Sequence, residues 1–122
     1  EYTIKVLTGN KLGAGTDANV YINVYGEKGE TGKVQLENST TNNNPFEKGK
    51  LDVFNIETRN VGEIKKINIS HDGKGTGAGW YCETIEVNNK NMTPKLFKIA
   101  RWLDESEGDG KIAIDVEPSQ KK

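Results

Sequence analysis

Residues 8–32 read TGNKLGAGTDANVYINVYGEKGETG, and this stretch decides the fold. Its residues 20–25 (VYINVY) place branched apolar side chains at every second position, which predicts a β-strand with one buried face. The preceding residues 9–18 contain three glycines and one carboxylate, Asp17. Glycines at this density predict a loop. The stretch therefore predicts a β protein whose strands are joined by oxygen-rich loops.

The same alternation recurs along the rest of the chain. It predicts seven further short strands, at Tyr2–Thr8, Lys33–Leu36, Leu51–Glu57, Ile64–Ser70, Trp80–Val87, Lys95–Ala100 and Ile112–Glu117. Eight short strands with turn residues between them are typical of an all-β, antiparallel β-sandwich. Residues 95–103 also give a weak helical signal. We expect one domain at residues 1–117 and a disordered tail at residues 118–122.

Composition excludes several classes of function. The chain has 122 residues, with 17 Lys and Arg against 18 Asp and Glu. This balance argues against a nucleic-acid binder, which usually carries a basic excess. A single histidine (His71) and a single cysteine (Cys82) exclude zinc sites built on clusters of these residues. No nucleophile elbow, phosphate-binding loop or HExxH motif occurs, so we expect no enzymatic activity.

Three loops concentrate oxygen donors, which are the ligands that calcium prefers. The loops are Gly9–Ala18, with Asp17; Asn42–Gly49, with Asn44 and Glu47; and His71–Trp80, with Asp72. The alternative for the first two loops is an ordinary solvated turn, which Asp17 caps in the first of them. In the third loop, His71 is expected to be a packed or rim histidine rather than a ligand, because calcium prefers oxygen. Periodicity permits the loops to share one end of the sandwich but does not establish that they do.

Five ordered blocks resemble the PLAT domain, also called the LH2 or lipoxygenase-homology domain. They are residues 8–32, FEKGKLDVFNI (46–56), VGEIKKINISHDGKG (61–75), GWYCETIEV (79–87) and FKIARWL (97–103). The resemblance extends from Tyr2 to about Val116. It implies an eight-stranded sandwich similar in layout to C2 domains. It also implies a non-catalytic module that often binds calcium and docks its parent protein onto membranes or partners.

The resemblance further implies a set of calcium ligands at one end of the sandwich. Carried over by position, they are the carbonyls of Gly13 and Gly15, the side chains of Asp17, Asn44 and Glu47, and more weakly Asp72. Gly79 and Pro45 stand where some relatives have acidic residues, so Gly79 offers only its carbonyl. Because ligand charge sets calcium affinity, we expect fewer or more weakly bound ions than in relatives with more carboxylates.

Membrane contact is implied for the tips of the same loops. Where related membrane-binding domains carry aromatic residues, this chain has Leu12, Gly75 and Trp102. Lys11 and Lys74 flank these positions and would meet anionic headgroups. The alternative for Trp102 is packing in the core.

Two functions remain open at this point. The leading hypothesis is a calcium-dependent module that targets anionic membrane lipids, located in the cytoplasm or peripherally on a membrane. The alternative is an adaptor of the same fold that binds other proteins or domains of its parent chain, either independently of calcium or with calcium as a structural ion.

Overall fold

The computed structural model describes residues 1–75, 77–106 and 109–119, and over these ranges it contains nine β-strands. The strands are β1 (Tyr2–Thr8), β2 (Val20–Gly26), β3 (Gly29–Glu30), β4 (Val34–Gln35), β5 (Leu51–Ile56), β6 (Ile64–His71), β7 (Trp80–Asn88), β8 (Lys95–Leu103) and β9 (Ala113–Val116). One sheet has the order β5-β1-β7-β8, and the other has the order β3-β2-β6-β9, with β4 also paired to β2. The predicted all-β antiparallel sandwich is confirmed.

The core lies between the two sheets and follows from the alternation in the sequence. In β1 the side chains of Tyr2, Ile4 and Val6 are fully buried, and every second residue of β2 is buried in the same way. Full burial of one such side chain stabilises the fold by about 1.5–3 kcal/mol. The N–H of the buried Trp80 indole has a partner in the core, since it donates to the Thr8 hydroxyl at 3.0 Å.

Each of the eight predicted strands is present, with small differences at the ends. Residues 95–103, which also gave a helical signal, form β8. Ile99 and Ala100 together lie opposite one residue of β7, because the register shifts there. This β-bulge, at which Ala100 has a φ of 48°, explains the irregular apolar spacing of the segment. The additional strand β3 consists of Gly29 and Glu30, and it shows no alternation because neither residue is apolar.

The predicted tail at residues 118–122 extends beyond the described residues, which end at Ser119. The Ser119 N–H donates to the Leu96 carbonyl at 2.8 Å, and the Ser119 hydroxyl accepts from the Lys98 N–H at 2.9 Å. These bonds attach the chain just after β9 to the edge of β8 in the other sheet. The domain boundary at residue 117 stays a prediction.

Three loops meet at one end of the sandwich: the β1–β2, β4–β5 and β6–β7 loops. The Gly49 N–H donates to the Gly9 carbonyl at 3.0 Å, which joins the first loop to the second. The Thr16 hydroxyl donates to the Ala78 carbonyl at 2.6 Å, which joins the first loop to the third. The fold therefore collects the three oxygen-rich loops at the same end.

Candidate metal site

Five of the predicted ligands border one pocket at this end of the sandwich. The pocket is open to solvent, has a volume of about 340 Å³ and is lined by Gly13, Gly15, Asp17, Asn44 and Glu47. The first three residues belong to the β1–β2 loop and the other two to the β4–β5 loop. The pocket therefore brings together the predicted ligands of two loops that are separate in the sequence.

The two loops are joined at Phe46. The Thr16 N–H donates to the Phe46 carbonyl at 2.9 Å. A Cβ at Gly15 would lie 2.8 Å from the same carbonyl oxygen, so this close approach requires glycine. Phe46 itself has a φ of 66°, which is rare for a bulky residue. Its buried ring anchors the junction, with centroid distances of 5.4 Å to the rings of both Phe54 and Trp80.

The pocket offers oxygen ligands of the types that calcium prefers. Asp17 and Glu47 supply carboxylates, and Gly13 and Gly15 supply backbone carbonyls. The Asn44 Nδ2 donates to Glu47 Oε2 at 3.1 Å, which leaves Asn44 Oδ1 as a further acceptor. Calcium takes about six to eight oxygen ligands from such a mixture, so these residues fit the ion. The described residues contain no group of three or more His, Cys, Asp and Glu side chains that could hold a metal.

Asp72 lies outside this pocket, and its carboxylate is already bound by the protein. Its Oδ1 accepts from the backbone N–H groups of Asn19 and Lys74, both at 3.1 Å, and its Oδ2 accepts from Asn19 Nδ2 at 2.7 Å. Desolvation raises the pKa of Asp72, but these hydrogen bonds outweigh it, so the pKa lies below its ordinary value. The structure thus places Asp72 as a link between the start of β2 and the turn after β6.

Gly79 also lies outside the pocket. A Cβ at this position would overlap the carboxylate of Asp104, which follows β8. Asp104 Oδ1 accepts from the Ser106 N–H at 2.8 Å. Gly79 therefore has no room for a side chain, and the carboxylate next to it comes from Asp104, which is distant in the sequence.

The exposed tip of the β1–β2 loop lies beside two aromatic rings. Leu12 is 91% exposed. The Lys11 ammonium is 4.9 Å from the centroid of the Tyr81 ring, a cation–π distance. The Tyr81 ring meets the Trp102 ring edge to face, with centroids 5.4 Å apart. Trp102 is half-buried and lies outside the hydrophobic core cluster. We call these four residues, Lys11, Leu12, Tyr81 and Trp102, the tip cluster.

Tyr81 belongs to the tip cluster, although the sequence analysis did not select it. A Cβ at Gly9 would come within 2.5 Å of the Tyr81 ring, so the ring rests directly on the glycine backbone. The Gly9 N–H donates to the Tyr81 carbonyl at 2.9 Å, and the Tyr81 N–H donates to the Ala14 carbonyl at 3.0 Å. The available signal was alternation, because Tyr81 is the outward residue between the buried Trp80 and Cys82.

The β6–β7 loop also borders the pocket, which Gly77 of this loop helps to line. Lys74 is exposed on this loop, and a Cβ at Gly75 would lie 3.8 Å from the Asp17 Cβ. His71 precedes the loop and is buried. One of its ring nitrogens is 2.6 Å from the Leu103 carbonyl, and the other accepts a backbone N–H of the loop. Since both nitrogens are engaged, His71 acts as a structural residue.

Comparison with known sequences identifies the family. The family model described as the PLAT/LH2 domain matches residues 2–114. The chain belongs to the PLAT/LH2 domain family. This assignment confirms the resemblance that the sequence blocks showed, and it covers all of the loops that form the pocket.

Two relatives illustrate where such domains occur. The mouse Lipoxygenase homology domain-containing protein 1 is 44% identical over 117 residues, which cover 95% of this chain and 6% of the relative. Human Polycystin-1 is 32% identical over 113 residues, which cover 90% of this chain and 2% of the relative. The chain therefore spans a small part of each relative's length, and a PLAT/LH2 domain can be one unit in a much longer protein.

Solved structures of the same fold include two lipoxygenases. Coral 8R-lipoxygenase matches with a TM-score of 0.84 and 26% identity, and the match covers 98% of this chain and 17% of the lipoxygenase. That lipoxygenase is described as activated by calcium via a C2-like domain. A calcium-dependent 11R-lipoxygenase has a TM-score of 0.71 and 29% identity, with coverage of 96% and 17%. The sandwich of this PLAT/LH2 domain is therefore C2-like.

Proposed function

We propose that this chain is a non-catalytic, calcium-binding module that directs its parent protein to anionic membranes. The observation that carries the proposal is the single pocket that Gly13, Gly15, Asp17, Asn44 and Glu47 line together. The description of the two related lipoxygenases as calcium-activated or calcium-dependent supports it by analogy.

Calcium would change the sign of the interaction between the pocket and an acidic bilayer. Without the ion, Asp17 and Glu47 give the pocket two negative charges that repel anionic headgroups, and only Lys48 at the rim opposes them. A bound divalent cation cancels this charge and has coordination positions left for lipid phosphate oxygens. The pocket therefore acts as an electrostatic switch whose range is limited by the Debye length, about 8 Å at physiological salt.

The tip cluster would supply the contact that follows. Leu12 is almost fully exposed, so it loses few contacts within the protein when it enters the membrane interface. Trp102 is a tryptophan, a residue type that favours the headgroup region of a bilayer. Lys11 and Lys74 each add about 1 kcal/mol near an anionic surface. No helix in the described residues is long and apolar enough to cross a bilayer.

Co-sedimentation with vesicles of phosphatidylserine and phosphatidylcholine tests this function. The chain should pellet with vesicles in millimolar calcium and remain in the supernatant with chelator. Leu12→Ala should weaken the calcium-dependent binding severalfold, because a leucine side chain that is partly buried in the interface contributes about 1 kcal/mol. Leu51→Ala is the matched control, since Leu51 is also exposed (46%) but lies on the outer face of the β5-β1-β7-β8 sheet. Equal pelleting with and without calcium would contradict the proposal.

A second candidate is a protein-interaction module of the same fold. It is favoured by the outer face of the four-stranded sheet, where Leu51 and Leu96 are 46% and 44% exposed at its two edges. Such a module would bind its partner in the presence of chelator, and the binding would be lost in Leu51→Ala but retained in Leu12→Ala. The same pair of variants therefore separates the two candidate functions.

A further inference from the structure

Asp52 is a carboxylate inside the core. It is completely buried on β5, at the same inward-facing phase as Phe54 and Ile56. None of the ion pairs in the described residues includes it. A buried charge without a cation is unfavourable unless hydrogen bonds compensate, so the donors that Asp52 holds explain its presence.

Two donors reach the Asp52 carboxylate, and both come from the β4–β5 loop. Oδ2 accepts from the Phe46 backbone N–H at 2.8 Å, and Oδ1 accepts from Asn42 Nδ2 at 3.0 Å. Asn42 Nδ2 also donates to the Leu51 carbonyl at 2.9 Å. The loop segment from residue 42 to residue 46 is therefore fixed to the beginning of β5 at two points.

Phe46 transmits this restraint to the pocket. Its N–H is held by Asp52, its carbonyl accepts from Thr16, and its ring is buried, so each of its three groups has a fixed partner. The backbone at Phe46 has a positive φ, which a bulky residue adopts only when its surroundings impose it. The residues around it, Asn44 and Glu47, carry the side-chain oxygens that the β4–β5 loop contributes to the pocket.

We infer that Asp52 is a positioning residue for this pocket. By accepting the Phe46 N–H it holds residues 44–47 in the conformation that presents Asn44 and Glu47 to the β1–β2 loop. Asp52 does not border the pocket and would not contact the ion. The inference rests on the calcium part of the proposed function. It says that Asp52, which lies outside the pocket, determines the positions of the ligands in the β4–β5 loop.

Calcium titration calorimetry on the 122-residue chain tests this role with two variants of Asp52. Asp52→Ala removes the acceptor and should weaken calcium binding at least tenfold. Asp52→Asn keeps an oxygen for the Phe46 N–H, although its amide group then faces the Asn42 amide. Because the acceptor for Phe46 is kept, the calcium affinity of Asp52→Asn should lie within about threefold of the wild-type value. Recovery by the conservative variant would show that the acceptor, rather than the charge, holds the loop.

Val87→Ala is the control for a general loss of stability. Val87 is fully buried on β7 and pairs with Ile4 and Lys95, away from the loops. The Val87→Ala variant should have a Tm lowered about as much as that of Asp52→Ala, and its calcium affinity should be unchanged. The inference is overturned if folded Asp52→Ala binds calcium like the wild type, or if Val87→Ala weakens binding equally. Should Asp52→Ala fail to fold, Asn42→Ala replaces it, with an expected weakening of about threefold, and unchanged binding overturns the inference.

Amide hydrogen exchange without calcium separates this inference from the proposed function. In Asp52→Ala, the amides of Thr16 and Phe46 should both exchange at least tenfold faster than in the wild type. If Asn42→Ala is used instead, both amides should exchange at least threefold faster. In Val87→Ala these amides should change no more than the rest of β1 and β2. If the wild type binds no calcium but the exchange pattern holds, the proposed function fails and the positioning role stands. Unchanged exchange in the acceptor variants overturns the positioning role.

Discussion

Asp17 and Asp72 lie in neighbouring loops at the same end of the sandwich, and the family resemblance predicts both as calcium ligands. Their surroundings differ. Asp72 accepts three hydrogen bonds, from Asn19 and Lys74. Asp17 is exposed, lines the pocket and accepts no side-chain hydrogen bond from the described residues. A loop carboxylate next to backbone donors serves the fold, whereas one that faces other oxygens is suited to a cation.

The largest expected effect is on calcium affinity. Asp17→Asn should weaken binding at least tenfold, which corresponds to about 1.4 kcal/mol, because it removes one of the two carboxylates in the pocket. Asp72→Asn should change the affinity less than twofold. Calorimetric titration of both variants checks this difference, and equal losses in both would remove the distinction between the two loops.

In the presence of chelator, substitution of Asp72 should affect stability more than substitution of Asp17, the reverse of the order expected for calcium affinity. Asp72→Ala removes the acceptor of three hydrogen bonds and should lower Tm by a few degrees. Asp17→Ala removes a carboxylate that shares the pocket with Glu47, so Tm should stay the same or rise slightly. Thermal unfolding followed by circular dichroism measures both values. A lower Tm for Asp17→Ala than for Asp72→Ala would contradict the assignment of roles.

A smaller effect should appear at acidic pH. Because the pKa of Asp72 is lowered in the folded chain, the carboxylate contributes stability above its unfolded pKa of about 3.9 and loses this contribution as pH falls through its folded pKa. The difference in Tm between wild type and Asp72→Asn should therefore be constant from pH 7 to about pH 5 and shrink below about pH 4. A difference that grows on acidification would show that Asp72 is not stabilised as the charged form.

Alternation in the sequence predicted the fold because the buried and exposed faces differ along most strands. β1 and β2 bury every second residue, and their bounds were predicted to within one residue. β3 escaped prediction because it contains no apolar residue and one of its two residues is Gly29, with a φ of 126°. The bulge at Ala100 shifts the apolar phase of β8, so periodicity alone left that segment ambiguous.

The candidate site was predictable only in part. Sequence blocks selected Gly13, Gly15, Asp17, Asn44 and Glu47, which the structure brings together. The bonds between Asp72 and Asn19 could not be predicted, because Asn19 lies far from Asp72 in the sequence and meets it through the pairing of β2 with β6.

Asp52 did leave a signal in the sequence. It occupies the inward phase of LDVFNI together with two apolar residues, Phe54 and Ile56. A charged residue at such a position calls for a specific set of donors. Its donors, Phe46 and Asn42, belong to the loop before β5, and only the three-dimensional structure shows that they reach it.

The two tryptophans have different surroundings, and each would report a different event by its fluorescence. Trp80 is fully buried with Phe46 at its edge, so its emission should respond to rearrangement of the β4–β5 loop. Trp102 is half-buried beside Tyr81, so its emission should shift to shorter wavelength on entering a lipid headgroup layer. In Trp80→Phe and Trp102→Phe chains mixed rapidly with calcium and vesicles, these two signals would reveal the order in which ion capture and membrane contact take place.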